Sequence, residues 1–81
     1  MYFIYLVKCS DNTLYCGIAK DLEKRLNEHN GVTKGGAKYT NPRRPVKLVY
    51  KEEVATLSEA LKREIAIKKL TREEKENLFL R

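Results

Sequence analysis

At 81 residues the chain can form one small domain, whose core should supply only roughly 3–5 kcal/mol of net stability. Seventeen Lys and Arg against eleven Asp and Glu leave a formal charge of +6, which points to an anionic partner, nucleic acid or an acidic membrane surface, or simply to a solvated basic face. No run reaches the roughly 18 apolar residues of a membrane span, and the opening apolar run is too short for a signal peptide, so a cytoplasmic protein is expected.

Residues 2 to 8, YFIYLVK, are apolar or aromatic on both alternating faces, which predicts a central strand covered on two sides. Residues 13 to 18, TLYCGI, read as its partner. Between them Ser10-Asp11-Asn12 has turn chemistry, and Asn12 can take the left-handed conformation that closes a three-residue loop. An odd loop pairs Cys9 with Thr13, Val7 with Tyr15 and Tyr5 with Gly17, so both phenols share one face and Gly17 leaves space beside the Tyr5 ring. A two-residue turn would send Tyr15 to the other face. Cys9 and Cys16 lack metal-site spacing and read as reduced, small hydrophobes.

KDLEKRLNEHN has a helical rhythm over about residues 20 to 30, with Leu22 and Leu26 toward the core and Asn30-Gly31 as its stop. Residues 31 to 45, GVTKGGAKYTNPRRP, hold Lys34, Lys38, Arg43 and Arg44 and no acid. Their glycines and prolines exclude regular structure, and irregular stretches of that length in compact domains are usually functional or disordered. Residues 46 to 52, VKLVYKE, alternate as a third strand. Thr56-Leu57-Ser58-Glu59 opens a helix running to about Lys69 or Leu70, and Thr71-Arg72-Glu73-Glu74 opens a short last helix ending near Leu80. The order strand, strand, helix, strand, helix, helix predicts a single α+β domain over residues 1–81, a three-stranded antiparallel sheet flanked by helices.

Several ionisable residues fall on faces that should be apolar. At about 100° per residue, Leu57, Ala60, Leu61, Ile65 and Lys68 gather on one side of their helix, with Glu64 near its middle. A carboxylate there must be paired, hydrogen-bonded or bound to a cation; Lys68, one turn on, or Arg63 at the rim would be the ordinary partners. Leu22, Arg25, Leu26 and His29 share a face of the first helix. Singly, each polar residue could be a satisfied packing residue or a snorkelling side chain. Together, an Arg, a His, a Glu and two phenols suit a phosphodiester site: a guanidinium for the phosphorus oxygens, a carboxylate for a divalent metal, and a polarised phenol or imidazole near the attacking water.

Phe3-Ile4-Tyr5, then Tyr15-Cys16-Gly17 after nine intervening residues, then Arg25 and His29 at i, i+4 and Glu64 on a later helix, form an ordered set. In this set the chain resembles the GIY-YIG nucleases, and among them the small stand-alone single-domain proteins. Phe3 stands where that family usually has glycine, and Cys16 where it usually has isoleucine; neither change removes a reacting group. The resemblance implies single-metal hydrolysis of DNA phosphodiesters. Tyr5 would orient or deprotonate the water, Tyr15 would hydrogen-bond around the phosphate, and Arg25 would stabilise transition-state charge. His29 would assist proton transfer or anchor Tyr5, Glu64 would hold Mg²⁺ or Mn²⁺, and Asn77 is the nearest candidate for a late phosphate-holding Asn.

A phenol is a poor base with its pKa of about 10, so Tyr5 is expected to be helped by nearby positive charge that lowers it. Lys34, Lys38, Arg43 and Arg44 would meet DNA phosphates, with Tyr39 stacking or hydrogen-bonding; a mobile solvated loop is the plainer alternative. Three functions stay open: an endonuclease acting on DNA, branched or damaged DNA included; a non-cleaving nucleic-acid-binding module of the same fold; and an interaction domain for an acidic protein. A protein partner could supply specificity in the first case.

Overall fold

The computed structural model describes residues 1–32, 34–35 and 40–80. Three strands, β1 (Tyr2–Lys8), β2 (Leu14–Ala19) and β3 (Lys47–Val54), form an antiparallel sheet in the order β2-β1-β3. Helix α1 (Leu22–His29) lies between β2 and β3 in sequence; α2 (Leu57–Lys68) and α3 (Arg72–Glu76) follow β3. The fold expected from the sequence is therefore the fold observed. The last helix is shorter than expected, ending at Glu76, with a turn over residues 77–79.

The hairpin closes as its parity requires. Asn12 has φ 70°, Cys9 N–H donates to Thr13 O at 2.8 Å, and the register pairs Val7 with Tyr15 and Tyr5 with Gly17. Side chains alternate along a strand, so central β1 feeds two cores. Ile4 and Leu6 join Cys16, Ala60 and Ile67 beneath α2, while Tyr5 and Val7 join Cys9 and Val46, with Tyr15, Leu22 and Leu26 packed around them on the α1 face.

Capping sets the helix ends. The Asp21 carboxylate accepts from Lys24 N–H at 3.0 Å and the Thr56 hydroxyl from Glu59 N–H at 3.2 Å, each such cap being worth about 1 kcal/mol. At the end of α1, Gly31 adopts φ 79° and the Asn30 amide brackets the Val46 backbone, accepting from its N–H at 2.6 Å and donating to its carbonyl at 3.1 Å. That bracket fixes where the chain re-enters the sheet.

Helix α2 is turned relative to the face its periodicity suggests. Ala60 and Ile67 are fully buried, whereas Leu57, Leu61 and Ile65 are 47%, 47% and 54% exposed. The sheet covers only one side of the helix, so Glu64 stands at the border between the buried line and an exposed apolar stripe, not at the centre of the buried face. On the other flank, Arg63 holds the Glu52 carboxylate of β3 through two bonds, 2.7 and 2.8 Å, and the Tyr50 hydroxyl donates to the same carboxylate. Among the described residues no helix is long and apolar enough to cross a membrane.

Candidate active site

The α1 face of the sheet brings Tyr5, Tyr15, Arg25 and His29 together. Leu22 and Leu26 seat α1 on the sheet, and the same stripe carries His29 inward until it is 0% exposed. Its Nε2 lies 2.6 Å from the Tyr5 hydroxyl, and its Nδ1 lies 2.8 Å from Oγ1 of Thr40, also fully buried. The Tyr15 ring meets the imidazole edge-on at 5.3 Å between centroids. Tyr5 reaches this position by lying across Gly17, where no side chain intervenes. Arg25 is steadied by Glu28 at 2.8 Å and by the Gly35 carbonyl at 2.6 Å, and lines a groove of ≈ 240 Å³ with Lys20, Lys24 and Glu28.

The electrostatics reverse one expectation. Burial pushes the Tyr5 phenol up to about 12, although Arg25 opposes the shift through a hydrogen bond and its charge. Nearby cations do not win because the ring is almost wholly removed from water, and desolvation penalises the phenolate more than Arg25 stabilises it. Burial likewise takes His29 down to about 4, helped by Arg25 and Arg44 against Glu28. At neutral pH the pair is a neutral phenol on a neutral imidazole.

Glu64 lies elsewhere. It sits on α2 between Ala60 and Ile67, so it approaches the sheet from the face that carries Ile4, Leu6 and Cys16. Its carboxylate is 3.5 Å from Lys68 Nζ, the ordinary pairing weighed above, while Arg63 turns away to Glu52. Burial, with the Glu64 charge next, pushes the Cys16 thiol up to about 11. The residues that flank Glu64 on α2, Ala60 and Ile67, pack with Ile4, Leu6 and Cys16, whereas Tyr5 packs with Val7, Cys9 and Val46 on the α1 face. Among the described residues no group of three or more His, Cys, Asp and Glu side chains could hold a metal ion. Glu64 offers one hard oxygen donor, which suits Mg²⁺ or Mn²⁺ only with water and phosphate filling the remaining positions.

The basic segment divides. Lys34 is exposed. Arg43 donates from Nε to Asp11 at 2.9 Å, tying the segment to the hairpin loop. Arg44 donates to the His29 carbonyl at 2.6 Å and packs over Gly31, so it caps α1 rather than projecting outward. Lys38 and Tyr39 lie outside the described residues. Asn77 is the exposed C-terminal cap of α3, on the α2 side of the sheet. Thr40 was not foreseen, because a threonine in an irregular segment carries no periodic signal; Glu28 could have been, at i+3 from Arg25.

The antiparallel α+β fold thus holds a phenol and an imidazole in buried contact, one helical turn from a guanidinium. Residues 1–77 match the family model described as the GIY-YIG catalytic domain, and the chain belongs to that family. It is 56% identical over 78 residues to UPF0213 protein SSP2268 of Staphylococcus saprophyticus, covering 96% of this chain and 93% of that one, and equally similar to a UPF0213 protein of Staphylococcus aureus. Among solved structures it is similar to UPF0213 protein BH0048 of Bacillus halodurans, with TM-score 0.60, 34% identity, and coverage of 96% of this chain and 82% of that one. It is also similar to protein EF2693 of E. faecalis, with TM-score 0.64, 41% identity, and coverage of 94% and 79%.

Proposed function

We propose that the chain is a metal-dependent endonuclease that hydrolyses DNA phosphodiester bonds, structure-selective or weakly sequence-specific. Membership of the GIY-YIG family supports a nucleic-acid substrate. The observation that carries the reading is the buried contact of 2.6 Å between Tyr5 and His29.

A phenol held near 12 is a weak acid, so Tyr5 can serve water activation only if its proton has somewhere to go. The neutral imidazole of His29 is the acceptor in contact with that proton, and negative charge of a bound phosphate beside it would have to raise its proton affinity for the transfer to run. Arg25, whose guanidinium is always charged, would face the phosphorus oxygens as negative charge grows, and Tyr15 would donate to the phosphate from the rim. Mg²⁺ or Mn²⁺ bound with the substrate would neutralise phosphate charge, with Glu64 as the protein carboxylate that would hold it. Lys34 and Arg43 would contact flanking phosphates, and a protein partner would add specificity to a domain this small.

A second reading has its own support: Glu64 is paired with Lys68 on the other sheet face, which suits a module that binds nucleic acid without cutting it. The deciding experiment incubates the protein with branched, nicked and linear DNA and Mg²⁺ or Mn²⁺. Cleavage that is lost in Tyr5→Phe and Glu64→Ala supports the nuclease. Salt-sensitive binding without cleavage, indifferent to both substitutions, overturns it in favour of the module.

A further inference from the structure

The Tyr5–His29 contact continues one residue further, to a group that neither the family motifs nor the charge pattern singles out. Thr40 and His29 are both fully buried, and Thr40 Oγ1 stands 2.8 Å from Nδ1 of the imidazole. We infer that Thr40 is a positioning residue, whose hydroxyl fixes the chain's only imidazole as the Nδ1–H tautomer and thereby leaves the Nε2 lone pair to accept from Tyr5.

Donor strength leads there. A phenol is a stronger donor and a weaker acceptor than an aliphatic hydroxyl, so of the two hydroxyls that flank the imidazole, Tyr5 is the one to donate and Thr40 the one to accept. The phenol's own proton then points to His29 Nε2, 2.6 Å away, which cannot carry a hydrogen of its own. Buried among Arg25 and Arg44, with Glu28 as the opposing charge, the imidazole is neutral and holds a single N–H. That hydrogen is therefore on Nδ1, where Thr40 Oγ1 accepts it. With the opposite tautomer Nε2 would donate to the phenol, the poorer acceptor of the two hydroxyls, and the threonine alcohol, the poorer donor, would have to serve Nδ1.

The position of Thr40 is itself held from outside the site. Its carbonyl accepts from Arg43 N–H at 2.9 Å, opening the 3₁₀ turn Asn41–Arg43. The Arg43 carbonyl accepts from both the Ser10 N–H at 2.9 Å and the Ser10 hydroxyl at 3.0 Å, while the Arg43 side chain grips Asp11. The loop of the first hairpin thus clamps the turn that presents the Thr40 hydroxyl to His29.

The catalytic consequence rests on the nuclease reading: an imidazole protonated at Nε2 would donate to Tyr5 and could not take its proton. The test has a readout that needs no activity. The chain contains one histidine, so a long-range ¹H–¹⁵N correlation of the native protein at neutral pH gives one imidazole pattern. The expected pattern is a protonated Nδ1 with a bare Nε2; a proton on Nε2 overturns the inference without any variant. Thr40→Val, nearly isosteric, should give a mixture of tautomers, and Thr40→Ser should restore the single form; a folded Thr40→Val with an unchanged pattern also overturns it. In cleavage, Thr40→Val should lower kcat by about 10–100-fold with KM little changed, as when a partner orienting a functional histidine is removed, and Thr40→Ser should recover most of it. If no form cuts DNA while the tautomer pattern is as expected, the nuclease reading fails and the role of Thr40 stands.

Discussion

The Tyr5 ring occupies the space that a side chain at residue 17 would fill: a Cβ built on Gly17 would lie 2.5 Å from the Tyr5 hydroxyl and 2.6 Å from Cζ. The ring cannot swing aside, because His29 holds the hydroxyl from the other side. Gly17→Ala should therefore cost about 1–3 kcal/mol through overpacking, read by urea denaturation, and should abolish cleavage by pulling the phenol off His29. A variant with native stability and activity would show that the close approach is not needed.

Acid should find His29. Its folded-state value of about 4 lies below its ordinary 6.5, so the unfolded chain takes up the proton first. The stabilisation is complete above pH 6.5 and is lost as pH falls through 4, amounting to about 3 kcal/mol at most. Stability measured across that window in the native protein and in His29→Gln should differ in slope, with the variant lacking this component. Parallel curves would mean the imidazole titrates normally.

Two basic residues of one segment should separate cleanly. Arg44→Ala removes charge-assisted bonds to the last carbonyls of α1 and should cost about 1–2 kcal/mol of stability. Lys34→Ala should leave stability within ~0.5 kcal/mol yet weaken DNA binding and lower its salt slope by about 1. Equal effects of the two on binding and stability would contradict the assignment.

The Glu52–Arg63 fork joins β3 to α2, and Tyr50 completes it. Arg63→Met should destabilise by about 1–3 kcal/mol, because it strands a half-buried carboxylate. Glu52→Gln with Arg63→Met should recover part of that loss in a double-mutant cycle. Arg63→Met alone at native stability would mark the fork as an ornament of the surface.

Much of the fold could be read in advance because its signals are local: Asn12 in a three-residue loop fixes parity, and Leu22, Leu26 and His29 share one helical stripe. The face of α2 could not, since periodicity marks apolar positions without saying how wide the covering sheet is, and Leu57, Leu61 and Ile65 fall beyond it. Arg44 looked like a phosphate ligand because composition does not distinguish a guanidinium spent on helix carbonyls from one facing solvent. For Tyr5 the charges nearby could be counted from sequence, but desolvation, which outweighs them, depends on packing. Thr40 meets His29 from eleven positions further along the chain, a pairing that only three dimensions supply.

The odd length of the Ser10–Asn12 turn carries a consequence for how such a chain can change over time. Adding or removing one residue there would turn β2 over, driving the Cys16 thiol toward His29 and sending Tyr15 down against Ile67. Solvent-facing turns ordinarily tolerate length variation, yet this one is bound to the chemistry as tightly as any reacting group. Descendants of this chain should accept substitutions in that turn far more readily than indels.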